Sequence, residues 1–309
     1  KKDQKGFISI IVAATIMIIL SLVTIGFTRY VQREQRQALD RQLSRQALYV
    51  AESGINETFK VILEDSTIPD EKTDCSPDTV VGAGNSVIDS ANQIEYTCNL
   101  YDKNPTRLDY NVNSDTSKIT QLSTSTGNPF ESIDVSWGNP DSERNSVGDL
   151  PSCDDAGDFP LARQTTIPLL KIDLTNISNL NRSNLLANSD YLYLSPCNGG
   201  VGGVTNYSYN KSQKGNIVRV ECNGTESTPC LIRINLSSEN SSVFMARLKP
   251  VYTSANIVLR GNERTSSAPI TTDDVEFSGQ YSIDVTARAS DIIRRLRAAI
   301  PLYSIDNKP

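Results

Sequence analysis

The pattern of apolar and polar positions changes twice along this chain. "KGFISIIVAATIMIILSLVTIGFTRY" carries no charge between Lys5 and Arg29, and its apolar residues follow no period, so the segment is hydrophobic on every side. From Gly6 to Phe27 a helix would span roughly 33 Å at about 1.5 Å per residue, enough for the hydrocarbon core of a bilayer. A secretory signal has a shorter apolar region and ends at a small-residue cleavage site, and no such site follows Phe27. The chain continues "TRYVQREQRQALDRQLSRQALYVAESGINETFKVILED", dominated by good helix formers and free of proline before Pro69. Leu39, Leu43, Ala47, Val50, Ile55, Phe59 and Ile62 recur at helical spacing and form one apolar stripe. Arg33, Arg36, Arg41 and Arg45 lie off it. The pattern predicts a single helix over residues 7–65, membrane-spanning over 7–27 and amphipathic beyond, with the stripe packed on the rest of the protein.

From residue 66 the period shortens. "NQIEYTCNLY", "SKITQLST", "SIDVSW", "IPLLKIDL", "DYLYLS", "NIVRVEC", "PCLIRINL", "VFMARLKP", "SANIVLR" and "VEFSGQYSIDVTAR" are short runs separated by Asn, Gly, Ser and Pro clusters. No long amphipathic helix alternates with them, which predicts an α+β protein: the long helix packed on a mainly antiparallel sheet or sandwich head over 66–309. "NIVRVECNGTESTPCLIRINL" reads as a hairpin with a cysteine at each strand end. "IIRRLRAAI" fits a strand and equally a helix capped by Ser290.

Six cysteines follow the apolar run: Cys75, Cys98, Cys153, Cys197, Cys222 and Cys230. None is in a CxxC pair and the chain has no histidine, so zinc-ligand spacing is absent. The set reads as disulfides in an oxidising compartment. Sequence order favours Cys75–Cys98 and Cys222–Cys230, leaving Cys153–Cys197, among about fifteen connectivities. Lys1, Lys2 and Lys5 precede the span and five arginines follow it, so positive charge leaves orientation open; the cysteines place the N-terminus inside. A net charge of −6 disfavours nucleic acid as a partner. Without histidine there is no Ser-His-Asp triad, and no phosphate loop or nucleophile elbow occurs. The expectation is a non-enzyme with no cofactor and no metal site. The acidic stretches at Asp154, Asp155 and Asp158 and at Asp273 and Asp274 lack calcium-loop spacing. Arg294, Arg295 and Arg297 read as a solvated face.

Three features, in order, resemble the type IV pilin superfamily and within it the PilX-type minor pilins. "KKDQKGF" looks like the end of a prepilin leader, the apolar run follows at once, and "LDRQLSRQALYVAESGINE" looks like the continuing helix, with Gln46, Ala47, Ala51, Glu52 and Gly54 in a "QA…AE.G" pattern. The resemblance covers the N-terminal helix alone. It implies that residues 1–6 are a leader, that a peptidase cuts after Gly6, and that Phe7 becomes an N-methylated first residue. It implies a filament core built from Phe7, Ile11, Ala13, Ala14, Ile16, Ile19, Leu22 and Phe27. Most major pilins carry Glu where this chain has Ile11, which points toward a minor, tip or initiating subunit. On the resemblance, "IIRRLRAAI" is read as a strand.

The resemblance thus implies a structural subunit of a type IV pilus or pilus-like filament. Its partners are copies of itself or other pilins, the inner membrane before assembly, the assembly machinery and a surface receptor. Its location is first the membrane and then an extracellular filament. The alternative is a single-span, membrane-anchored surface protein or adhesin that never polymerises.

Overall fold

The structure is a computed structural model that describes residues 4–65, 67–75, 86–90, 93–153, 167–178, 186–199, 204–211, 215–223, 228–263 and 275–302. The acidic stretches at 154–158 and 273–274 lie outside them. The chain folds into two compact units, one of residues 1–101 and 283–298, the other of 102–282 and 299–309. The stretch read from sequence as one head over 66–309 therefore contributes to both.

The first unit is built on helix α1, Gln4–Glu64, a single helix of 61 residues and about 90 Å at 1.5 Å per residue. With α1 go strands β1 (Glu71–Lys72), β2 (Ser86–Asp89) and β3 (Ile94–Asp102). The same sheet takes β14 (Gln280–Ala289) and β15 (Ile292–Pro301) from the far end of the sequence, in the order β1-β3-β14-β15 with β2 on β3. "IIRRLRAAI" is thus a strand. Ser290, at φ 55°, makes with Asp291 the two-residue turn that returns it. Strand β14 starts only at Gln280, so "VEFSG" is not part of it; Phe277 makes an isolated bridge to Thr124 in the second unit.

The second unit holds β4 (Arg107–Val112), β5 (Lys118–Ser123), β6 (Phe130–Gly138), β7 (Leu169–Asn176), β8 (Ser189–Asn198), β9 (Thr205–Ser208), β10 (Asn216–Cys222), β11 (Cys230–Asn235), β12 (Val243–Val251) and β13 (Ala255–Glu263). They form one sheet in the order β4-β13-β6-β11-β10-β8-β7-β12-β5, with β9 on β11. Most neighbours run antiparallel, as expected. Two pairs, β8/β10 and β9/β11, are parallel. Parallel neighbours need a connection longer than a tight turn, and between β8 and β10 the chain passes through β9. The expected hairpin is closed at its loop end, where Cys222 faces Cys230; farther along, β11 pairs with β9 instead.

Every second residue of these strands points into one core, which includes Leu108, Leu122, Ile133, Val135, Trp137, Ile172, Leu194, Ile232, Phe244 and Ile257. The sheet coils around that core. Its two end strands, β4 and β5, share a hydrogen bond between Tyr110 Oη and Thr120 Oγ1 at 2.8 Å, and the Gln280 amide donates to the same Tyr110 oxygen at 2.8 Å. Eight steps of about 4.8 Å in a flat sheet would hold those strands roughly 40 Å apart. Burial, only partly offset by these two hydrogen bonds, raises the Tyr110 pKa. Phe130 stacks edge-on against Phe244 at 6.0 Å, and the Trp137 indole donates to the Pro168 carbonyl at 2.8 Å, which satisfies its one polar atom.

Candidate assembly interface

The first half of α1 has no partner among the described residues. Val12 to Phe27 is apolar and wholly exposed, with Met17 at 70% and Phe27 at 68%. Ala13, Ala14, Ile16, Ile19 and Leu22 lie in this stretch, on all sides of the helix, and all are exposed. The backbone is already helical at Gly6, Phe7 and Ile11, and the side chains of α1 are described from Val12 onward. The expected helix start at Phe7 is therefore Gln4 in the structure, and no break separates Gln4, Lys5 and Gly6 from the span.

Between Val12 and Thr28 four hydroxyl residues interrupt the apolar surface, and each is satisfied within the helix. Thr15 donates to the Val12 carbonyl at 2.9 Å, Ser21 to Met17 at 2.8 Å, Thr24 to Leu20 at 2.8 Å and Thr28 to Thr24 at 2.9 Å. Hydroxyls bonded back to their own helix add little polar cost in a medium without water. From Val12 to Thr28 the helix therefore presents an all-round apolar cylinder with no polar side chain in need of an external partner. It is long and apolar enough to cross a membrane.

The second half of α1 packs. Ala47, Val50, Ala51, Gly54, Ile55, Thr58 and Ile62 are buried, at three- and four-residue spacing. Four of these, Ala47, Val50, Ile55 and Ile62, are in the stripe read from sequence. Leu43 and Phe59 are half-buried, and Leu39 is 58% exposed, so the packed stripe begins later than expected. Ala51, Gly54 and Thr58 were missed because small and hydroxyl residues carry little hydrophobic signal. Their smallness is what brings the helix close to the sheet: a Cβ on Gly54 would lie 2.8 Å from Val285 Cγ1 of β14. Thr58 donates to the Gly54 carbonyl at 2.7 Å, which hides its hydroxyl. Tyr96 of β3 donates to the Glu57 carboxylate, and Arg294 of β15 donates twice to Ser44 Oγ, at 3.0 and 2.7 Å.

The three disulfides are Cys75–Cys98, Cys153–Cys197 and Cys222–Cys230, the pairing that sequence order favours. The first ties the segment after α1 to β3. In the arginine-rich strand β15, Arg295 forms a forked pair with Asp284, at 2.6 to 3.0 Å, which raises its pKa. Among the described residues no group of acidic or cysteine side chains is arranged to hold a metal. Comparison with known protein families, with curated proteins and with solved structures finds no match to this chain.

Proposed function

We propose that this chain is a structural subunit of a type IV pilus or pilus-like filament, in the manner of the PilX-type minor pilins that its N-terminal helix resembles. The observation that carries the reading is one uninterrupted helix whose first half is apolar on all sides and exposed while its second half is packed on a sheet. A plain anchor needs a span and a linker, and here the span runs into the folded part as rigid helix, with no Gly, Ser or Pro linker. In the proposed cycle the span lies in the inner membrane, and after cleavage behind Gly6 it is drawn into a bundle of like helices. There van der Waals packing replaces lipid contact. The disulfide-bonded β-rich part is left outside for adhesion, motility or other surface contacts. Ile11, where major pilins carry Glu, favours a minor, tip or initiating place in the fibre.

Mass spectrometry of sheared filaments tests this. The expected result is the protein in the filament fraction, beginning at Phe7. Its absence from every filament fraction, with the intact chain kept in the membrane, establishes the non-polymerising surface anchor instead.

A further inference from the structure

On the outer face of the second unit, β8, β7 and β12 lie side by side, and their register sets two rows across the three strands. Tyr193 stands beside Lys171, which stands beside Lys249; Tyr191 stands beside Asp173, which stands beside Arg247. These residues alternate with buried Leu192, Ile172 and Leu248, so they share the outward face. A cavity of about 420 Å³ opens over Tyr193, Lys171, Lys249, Asp173 and Arg247, walled by Ser114 and by Tyr252 in the turn after β12. That volume is within the usual range of about 300–1,000 Å³ for small-ligand sites.

The lining is unusual for this protein. The chain as a whole carries −6, yet the cavity is lined by Lys171, Arg247 and Lys249 against the single carboxylate of Asp173. Asp173 is already matched by Lys171, at 3.2 Å, and the Lys171 ammonium also lies 5.3 and 5.9 Å from the rings of Tyr191 and Tyr193. Among the described residues Arg247 donates to a hydroxyl, Ser117 Oγ, at 3.2 Å. Among the described residues no carboxylate pairs with Arg247 or Lys249. Tyr252 adds a second signal. It is 60% exposed, and its backbone is held at φ 80°, a conformation that bulky residues rarely adopt. Such strain gathers at ligand-binding positions because it is retained for what the side chain does there.

The geometry points to a binding site for a carboxylated sugar, a uronate or sialate unit of a surface glycan. Arg247 and Lys249 take its carboxylate through charge-assisted hydrogen bonds. The Tyr193 and Tyr252 rings offer apolar faces to the C–H side of the sugar ring, and their hydroxyls, with Ser114, meet its own hydroxyls. Two unmatched cations in one shallow cavity suit one negative charge. A nucleic acid needs a basic track along many phosphates, which this cavity of an acidic protein does not offer. The site stands whether or not the chain polymerises.

Calorimetric titration of the detergent-solubilised full chain with glucuronate and N-acetylneuraminate tests the site. Glucose, inorganic phosphate, a short oligonucleotide and an oligoglutamate serve as comparisons. The expected result is binding of an acidic sugar at least about tenfold tighter than glucose, weakened about tenfold or more by Lys249→Gln. Tyr252→Gly removes the ring while glycine accepts the positive φ, so it weakens sugar binding and leaves the thermal midpoint unchanged or higher. Equal affinity for glucose and glucuronate overturns the proposal. So does tighter binding of phosphate, oligonucleotide or oligoglutamate than of either acidic sugar. So does no acidic-sugar binding up to about 10 mM, a weak-affinity limit, or sugar binding untouched by both variants.

Discussion

Gly54 decides how closely α1 approaches its sheet. A methyl group there would sit 2.8 Å from Val285 Cγ1, so Gly54→Ala trades about 1 kcal/mol of helix propensity against overpacking of about 1–3 kcal/mol. The expected outcome is a lower denaturation midpoint, partly restored by adding Val285→Ala, whose lost methyls leave room; a double-mutant cycle reads the coupling. At the same scale, Tyr110 and Tyr209 are buried phenols whose pKa values are raised above 10.0, chiefly by burial. The folded state holds their protons more tightly than the unfolded chain does, so their contribution to stability is complete below pH 10.0 and is lost as pH rises beyond it. Urea titrations at neutral pH and above that value should show a falling midpoint. The fall should be shallower in Tyr209→Phe, which has no proton to lose but gives up the hydrogen bond to Asn188 O at 2.9 Å and about 1 kcal/mol with it.

Among the elements, α1 combines two surfaces that obey different rules. In the span, a charge has no partner on any side, so Ile16→Asp costs about 2.5–3.5 kcal/mol in lipid. Cell fractionation should find less of that variant in the membrane, while the packed stripe from Ala47 to Ile62, more than thirty residues farther along, still folds. The disulfides differ by the loops they close. Separations of 8 for Cys222–Cys230 and 44 for Cys153–Cys197 correspond to about 2.5 and about 4 kcal/mol on the loop-entropy account. Replacing Cys153 and Cys197 together by serine should lower the thermal midpoint more than replacing Cys222 and Cys230, as scanning calorimetry of the two double variants would show. The shorter bridge also acts on local geometry, because it clamps β10 to β11 at the Cys222 and Cys230 pair, before β9 takes over the edge of β11.

For the whole molecule, the question is what covers the apolar half of α1. Leucine at Ala13 or Ala14 is at least as apolar as alanine, so it leaves membrane insertion intact, but it enlarges the helix where a close neighbour would touch. On the filament reading, Ala13→Leu and Ala14→Leu should stay in the membrane and drop out of sheared filaments. Normal incorporation of both would place tight helix contacts on another face of the span. On the anchor reading neither variant changes anything, because lipid accommodates either side chain.

The sequence by itself determined the elements that depend on near neighbours in the chain. The long helix, the apolar span, the period-two strands and the pairing of the cysteines could all be read, because each rests on a local period or on order along the chain. Strand β4 was overlooked although Leu108, Tyr110 and Val112 alternate in it, because Arg107, Asp109 and Asn111 between them weaken the strand signal. Only the tertiary structure decided the rest. The apolar stripe already pointed to the buried face of α1 through Ala47, Val50, Ile55 and Ile62, but how closely the sheet approaches that face followed from Gly54 and Thr58, and closeness across 230 residues of chain leaves no periodic trace. The parallel pairing of β8 with β10 and the return of β14 and β15 to the N-terminal sheet depend on crossovers whose course no local pattern encodes. The cationic cavity was equally hidden. Lys171, Tyr193 and Lys249 are unremarkable where they stand in sequence, and only the register of three strands sets them in one row.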